Sequence, residues 1–317
     1  MVLQGRGDSL KQDTILLFQE PERYFFPQMK GIVYAPFGVA NKRLRFWLYL
    51  IVCRFPFLCF PVLFGPWKKY VRTAKQVILF DFGYVPGIEH YIHRINPSCK
   101  ICLFYWNILK SSGKGYQKFA FKQNIYATDK NDCQKYGFLY QSIFYVPQDI
   151  QPKKVVKEPE KLFFFGLDKG RGPYLLRLKK QLEAFGICCD ITVFSESHCR
   201  KYKNKIADIL ADQMISYKEY CSRLSKCGIL LDLNQAGQTA LSMRVMEAIF
   251  FGKKLITFNK DIATYDFYDE NNIFIMDSKQ TDGKDLLAFI KKPFRPYEKE
   301  VLRQYSYENW KKRFAVK

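Results

Sequence analysis

The sequence predicts an α/β protein made of two parallel-sheet domains. From Gln76 onward, short apolar runs of strand length alternate with helical segments, which is the pattern of βαβ units. Runs such as VILF and LFFF are apolar at every position, as expected for strands of a parallel sheet that is covered on both faces. The alternation stops in the proline-rich, charged stretch 147–160 and then restarts, so we predict domains at 1–150 and 151–317. A terminal helix is expected over Tyr305–Phe314.

Composition predicts a well-packed protein with an anionic partner. Of the 317 residues, 48% are hydrophobic and 17% are aromatic, which excludes a disordered chain. The formal net charge of +21 favours a nucleic acid, an acidic membrane surface or a phosphorylated substrate, without choosing among them. The sequence contains no nucleic-acid recognition motif and interleaves its cations with apolar strands, so we do not expect nucleic-acid binding.

The cysteines predict neither a disulfide framework nor a metal site. Most of the ten cysteines lie within apolar runs, which indicates reduced thiols in the cytoplasm. Cys99 and Cys102 form one CxxC pair, but no second pair or nearby histidine pair completes a zinc site. The sequence also lacks Asp-x-Asp, which is a common way to hold a divalent ion on a diphosphate, so we expect no metal and no cofactor.

The most unusual composition lies in the basic and aromatic region 41–75. The run Phe46–Gly65 is apolar except for Arg54, and no Asp or Glu occurs between Glu22 and Asp81. Twenty such residues are long enough to cross a bilayer, but Arg54 and two prolines interrupt the run and cations flank both of its ends. We expect either a helix in the interface of an anionic membrane or a buried helix with basic ends, and the sequence does not separate the two.

A glycine-rich loop opens the second half of the chain. The strand LFFF is followed by Gly166-Leu167-Asp168-Lys169-Gly170-Arg171-Gly172 and then by a helix. Three glycines around two cations between a strand and a helix suit the close approach of a diphosphate. The spacing is neither GxGxxG nor a Walker A loop, so the dinucleotide and P-loop interpretations fail. The alternative interpretation is an ordinary turn with solvated cations.

The stretch Gly228–Asn272 predicts a second anion site in the same half. It reads as a strand, a polar loop, a helix that ends at Gly252, and another short strand. The free amides and the dipole at the start of such a helix favour an anion. The hydrogen-bonding side chains at this point are Asn234, Gln235, Gln238, Thr239 and Ser242 in the loop, with Arg244 and Glu247 in the helix. Arg244 and Glu247 are three residues apart, so they can also pair with each other.

These features resemble the GT-B glycosyltransferases. The segment MEAIFFGKKLITFN is similar to the donor motif of that superfamily. The segments FFFGLDKGRG, QTALSMRVMEAIFFGKKLITFNKDI, YDFYDENNIFIMD and VILFDF…KICLFYWN look like the bacterial lipopolysaccharide-core and capsular-polysaccharide glycosyltransferases. The resemblance covers about residues 76–315 and is most specific in the second half. It implies two Rossmann-like parallel-sheet domains that face a cleft, with a C-terminal helix.

The resemblance implies a sugar transfer from a nucleotide donor to a lipid-linked or polysaccharide acceptor, at the cytoplasmic face of the bacterial inner membrane. Glu247 would accept hydrogen bonds from the donor ribose, and Lys169 and Arg171, with Arg244, would neutralise the diphosphate. The full set implied to bind the donor is Gly166, Lys169, Gly170, Arg171, Gln238, Thr239, Ser242, Arg244 and Glu247.

One position departs from the commonest pattern of the superfamily. Retaining members often carry a second glutamate eight residues before the one that binds ribose, and here that position is Thr239. The stereochemistry therefore stays open. An inverting enzyme needs a general base from the first domain, and Asp81, at the end of the strand VILFD, is the candidate. Its alternative role is a structural turn or a helix cap.

The sequence therefore predicts a metal-independent glycosyltransferase with a nucleotide-sugar donor and a glycolipid or polysaccharide acceptor. Region 41–75 would contact an anionic membrane surface, and the protein would be peripheral at the inner face of the inner membrane. The competing hypothesis is a protein of the same fold that binds a nucleotide or a membrane without catalysing transfer.

Overall fold

The computed structural model describes residues 13–58, 60–147, 157–194, 202–234, 239–277 and 283–314. The chain divides into two compact units, of which the first comprises Met1–Ser142 with Trp310–Lys317 and the second comprises Ile143–Asn309. Each unit is built on one six-stranded sheet in which all neighbouring strands are parallel. The predicted linker 147–160 lies mostly outside the described residues.

The described residues of the first unit form six strands and four α-helices. Its strands are β1 Thr14–Leu17, β2 Val33–Tyr34, β3 Gln76–Phe80, β4 Lys100–Tyr105, β5 Ile125–Ala127 and β6 Leu139–Tyr140. Its helices are α1 Lys42–Arg54, α2 Ile88–Ile95, α3 Leu109–Ser112 and α4 Lys130–Tyr136. The sheet order is β2-β1-β3-β4-β5-β6, so the direction of strand addition changes between β1 and β3. Open α/β sheets bind ligands at such a switch point.

Buried apolar strands make the core of the first unit. All five residues of β3 are buried, and so are the last five of β4, as continuous apolar runs predict for strands covered on both faces. Trp67 is fully buried beneath them, and its indole nitrogen donates to the main-chain oxygen of Pro36 at 2.9 Å. These buried strands therefore fix the positions at which the loops begin at the carboxyl ends of the sheet.

Six strands and six α-helices form within the described part of the second unit. Its strands are β7 Glu158–Leu167, β8 Cys189–Phe194, β9 Leu210–Ala211, β10 Cys227–Asp232, β11 Lys254–Thr257 and β12 Ile273–Ile275. Its helices are α5 Gly172–Ala184, α6 Tyr217–Lys226, α7 Met243–Phe251, α8 Gly283–Lys291, α9 Lys299–Gln304 and α10 Tyr307–Lys312, of which α10 runs on into the first unit. The sheet order is β12-β11-β10-β7-β8-β9. Read from β9 to β12, with β7 counted as the first strand, this is the 3-2-1-4-5-6 order of a Rossmann sheet, and its switch point lies between β7 and β10.

Local signals set the ends of the helices around this switch point. Ser242 is the N-cap of α7, and its hydroxyl accepts from the amide of Arg244 at 3.1 Å. Gly252 ends the same helix in the left-handed conformation, with φ of 61°, where a side chain would be strained. The two predicted strands and the predicted helix of Gly228–Asn272 therefore form as β10, β11 and α7, whereas 235–238 in the predicted loop lie outside the described residues.

Region 41–75 forms α1 and three short 3-10 helices. The helix ends at Arg54, before Pro56, and the 3-10 helices are Pro56–Leu58, Pro61–Leu63 and Pro66–Lys69. Each of the three begins with a proline, which cannot continue a hydrogen-bonded helix. Throughout the described part of the chain, every helix is too short or too polar to cross a membrane.

Candidate functional site

The loop between β7 and α5 is shaped by a carboxylate that the sequence interpretation passed over. Asp168 is 1% exposed, and its Oδ1 accepts from the amide of Gly172 at 2.6 Å. Its Oδ2 accepts from the amide of Gly170 at 3.1 Å and from the hydroxyl of Tyr202. Lys169 and Gly170 have φ of 46° and 81°, so the turn is left-handed. The sequence analysis predicted that the backbone of this loop contacts a phosphate, and two of its amides already donate to Asp168.

Two arginines meet at the switch point instead. The guanidinium carbons of Arg171 and Arg244 lie 5.7 Å and 4.4 Å from the centre of the Phe164 ring in β7. Arg171 donates to the main-chain oxygens of Leu233 at 2.6 Å and Leu167 at 3.0 Å, at the carboxyl ends of β10 and β7. The sequence predicted both arginines as phosphate contacts. They are far apart in the chain, and the structure places both of them against the Phe164 ring.

The arginine pair concentrates positive charge in a partly buried place. Burial, followed by repulsion from Arg244, lowers the pKa of Arg171 to about 10, and the attraction of Asp232 and Asp168 opposes this change. Arg171 still carries its charge at neutral pH. The Nε donor of Arg244 is buried and has no hydrogen-bond partner among the described residues. A bound anion would favour the charged form of Arg171 and could accept from that donor.

Gly166 makes room for the second arginine. A Cβ atom at this position would collide with Nη2 of Arg244, which donates to the main-chain oxygen of Phe165 at 2.9 Å. The absence of a side chain at Gly166 therefore lets the guanidinium lie against the end of β7. The phosphate contact of Gly166 stays a prediction, and the structure adds this steric role beside Arg244.

The start of α7 is held by a buried network. Ser242 donates to Oδ1 of Asp232 at 2.6 Å, and Thr257 donates to Oδ2 of the same carboxylate at 3.0 Å. Thr239 is half-buried, and its main-chain oxygen accepts from Asn259 at 3.2 Å. Gln238 lies outside the described residues. The hydroxyl of Ser242 is thus already engaged twice, as the cap of α7 and as a donor to Asp232.

Glu247 is buried among tyrosines of α6. It is 3% exposed, and its two oxygens accept from the hydroxyls of Tyr217 at 2.9 Å and Tyr220 at 2.6 Å. The hydroxyls of Tyr217 and Tyr145 lie 3.1 Å apart, which extends the network. Burial raises the pKa of Glu247 to about 7, against the opposing effects of the Tyr220 hydrogen bond and the charge of Arg244. The ribose role of Glu247 stays a prediction, and the described residues include no ion pair between Glu247 and Arg244.

Asp81 lies at the switch point of the first sheet, directly after β3. It is 7% exposed, and its Oδ2 accepts from the main-chain and side-chain nitrogens of Asn107, each at 3.2 Å, and from the hydroxyl of Ser112. Burial raises the pKa of Asp81, although these hydrogen bonds and the nearby amide of Phe82 favour the ionised form. Ser112 belongs to α3, a single helical turn after β4.

Gln19 is a neighbour of Asp81 that sequence reasoning missed. Leu17 pairs with Leu79 in the parallel register, so Gln19 lies level with Asp81. The main-chain amide of Gln19 donates to the main-chain oxygen of Phe82 at 2.7 Å. The side chain is 1% exposed, and its Nε2 and Oε1 have no hydrogen-bond partner within the described residues. No motif could have indicated this residue, because only the pairing of β1 with β3 brings it to the switch point.

Metal-binding geometry is not found in the described segments: they hold no cluster of three or more His, Cys, Asp or Glu side chains suited to a metal ion. The prediction of a metal-independent reaction is untested by this finding.

Comparison with known proteins supports the fold. No protein-family model matches the sequence, and no curated protein matches it. Among solved structures, the chain is similar to AviGT4, described as a glycosyltransferase involved in avilamycin A biosynthesis, with a TM-score of 0.52 at 11% identity over 78% of this chain and 77% of that one. The TarM structure gives a TM-score of 0.48 at 8% identity over 77% of this chain and 55% of that one.

The predicted fold class is confirmed. The chain consists of two Rossmann-like parallel-sheet units of the GT-B type, followed by the predicted terminal helix. At such low identity the likeness describes the fold and does not identify the substrates.

Proposed function

We propose that this protein is a metal-independent glycosyltransferase that moves a sugar from a nucleotide-sugar donor to a lipopolysaccharide-core, capsular or other cell-surface glycan. The observation that carries the proposal is the pair Arg171 and Arg244 over Phe164, at the switch point of a sheet with Rossmann strand order. The fold likeness to AviGT4, itself described as a glycosyltransferase, supports the same reaction class.

In this proposal the arginine pair binds the donor diphosphate. Two guanidinium groups fixed by main-chain oxygens are preorganised, so they stabilise the negative charge that grows on the diphosphate as the sugar leaves. Lys169, exposed on the turn before Arg171, would add a third cation. This arrangement supplies by side chains the charge stabilisation that a divalent ion provides in other enzymes.

Asp81 would act as the general base of an inverting transfer. Its pKa is raised by burial, which brings its proton affinity closer to neutral pH, where a base is most effective. Oδ2 already accepts from Asn107 and Ser112, so Oδ1 is the atom that would take the proton of the acceptor hydroxyl. Gln19 beside it would hydrogen-bond the same hydroxyl.

A panel of nucleotide sugars tests the proposal by thermal shift and by transfer. A true donor stabilises the native state by mass action, by about 2.7 kcal/mol at 100 times its Kd. Arg244→Gln should weaken donor affinity roughly 10- to 100-fold, because hydrogen bonds to charged groups contribute about 1.5–3 kcal/mol. Arg177→Gln, on the exposed face of α5, is the matched control and should behave as the unmodified protein.

Two outcomes would contradict the proposal. Equal donor affinity in Arg244→Gln and the control would remove the arginine pair from the donor site. Donor binding that depends on Arg244 without any transfer or donor hydrolysis would favour the alternative, a nucleotide-binding protein of the same fold.

A further inference from the structure

Helix α1 is apolar on the face that it turns away from the core. Its inward positions are Arg45 and Val52, both buried, with Leu48 and Tyr49 partly buried against the core of the first unit. Trp47, on the opposite side, is 61% exposed. A helix at a protein surface normally carries polar residues on its outward face. The large apolar side chains on the outward face of α1 therefore indicate a surface that binds a partner.

The exposed apolar surface continues beyond Trp47. Fourteen large hydrophobic side chains are exposed among the described residues, and eight of them lie between positions 44 and 62: Leu44, Phe46, Trp47, Leu50, Ile51, Phe55, Phe60 and Val62. We call these eight side chains the α1 surface. Such clustering exceeds the scattered apolar residues of an ordinary surface, which need no explanation.

Exposed cations occur in the same segment as the α1 surface. Arg43 and Arg54 lie on the same side of the helix as Trp47, at spacings of four and seven residues. Lys69 and Arg72 follow on exposed positions after the 3-10 helices. No acidic residue occurs between positions 23 and 80. Glu22 pairs with Lys42 and Arg45, and Asp13 pairs with Lys75, whereas the ion pairs among the described residues involve none of the four cations named above.

We propose that the α1 surface docks on an anionic lipid bilayer, with α1 lying in the interface plane. Its apolar side chains would enter the boundary between headgroups and acyl chains, and its cations would contact the lipid phosphates. A second copy of the chain is a poorer partner, because a symmetric contact would bring Arg43 and Arg54 of both copies together. The docking does not depend on the glycosyl transfer proposed above.

Vesicle sedimentation tests the proposal with the full chain. The protein should sediment with vesicles of equal phosphatidylcholine and phosphatidylglycerol, and much less with phosphatidylcholine alone. Trp47→Gln with Ile51→Gln should lower the partition coefficient at least about tenfold, since two apolar side chains no longer leave water. The matched control replaces Leu139 and Met214, each 47% exposed and outside the α1 surface, with Gln, and should bind as the unmodified chain.

The cations are tested separately. Arg43→Gln with Lys69→Gln should weaken binding roughly fivefold for each charge removed, which corresponds to about 1 kcal/mol per cation near an anionic surface. Both variants alter exposed residues, and an unfolding temperature equal to that of the unmodified chain reports that they are folded. Equal binding to neutral and anionic vesicles would overturn the proposal. So would a stable dimer that the Trp47 and Ile51 variant converts to a monomer while vesicle binding is unchanged.

Discussion

Replacing Glu247 with Gln gives the sharpest test of the buried network in the second unit. The carboxylate is 3% exposed and accepts from Tyr217 and Tyr220. The side-chain amide of the introduced Gln has the same shape and keeps one of the two acceptor oxygens. The substitution removes the titrating group. Any dependence of stability on pH that comes from Glu247 therefore disappears in the variant.

The pKa of Glu247 fixes the sign and the size of the effect. The native carboxyl has a pKa of about 7 against an ordinary value of 4.5, so between these values the native state binds more protons than the unfolded state. Stability is therefore highest below pH 4.5 and falls as the pH rises through 7. Each pKa unit corresponds to about 1.36 kcal/mol, which gives a total of roughly 3 kcal/mol, most of which falls between pH 5 and pH 8.

Urea unfolding at several values between pH 5 and pH 8 measures this effect. The free energy of unfolding of the unmodified protein should fall by roughly 2 to 3 kcal/mol more than that of Glu247→Gln across the range. The comparison cancels Asp81 and Glu89, whose pKa values are also raised by burial and which are present in both proteins. The slope m should be the same in both.

Parallel stability profiles for the two proteins would refute the reasoning, because Glu247 would then titrate at the same pH in the native and unfolded states. Donor affinity in the same variant addresses the ribose contact. If Glu247 binds the ribose, the variant should weaken the donor, whereas a role confined to Tyr217 and Tyr220 changes the pH profile and leaves the donor affinity intact.

Two further substitutions test single contacts. Gly166→Ala should displace the guanidinium of Arg244 from Phe165, with a loss of about 1 kcal/mol in unfolding free energy and a weaker donor thermal shift. An unchanged donor shift would contradict the steric role of Gly166. Asp81→Asn should lower the rate of transfer about 100-fold or more with donor affinity unchanged, as expected for a lost general base. Full activity with lower stability would instead assign Asp81 to the turn that it forms with Asn107 and Ser112.

Much of the fold follows from local sequence patterns. Continuous apolar runs identify β3, β4, β7 and β10 because these strands are covered on both faces. Ser242 and Gly252 set the two ends of α7 by capping, which involves only neighbouring residues. The sequence of region 41–75 leaves an interfacial and a buried helix open, because its apolar residues lie on both faces of α1. Only the packed structure shows which face is covered.

The sequence by itself therefore determined the two α/β units, the glycine loop after β7 and the arginines near it, since these depend on periodicity and on residue type. The tertiary structure decided the partners. Tyr202 donates to Asp168, which shapes the loop after β7, and Glu247 accepts from tyrosines of α6. These contacts join residues that are 34 and 27 positions apart, so they depend on how the segments of the second unit pack and not on any local pattern. For the same reason, Gln19 becomes a neighbour of Asp81 only once β1 pairs with β3.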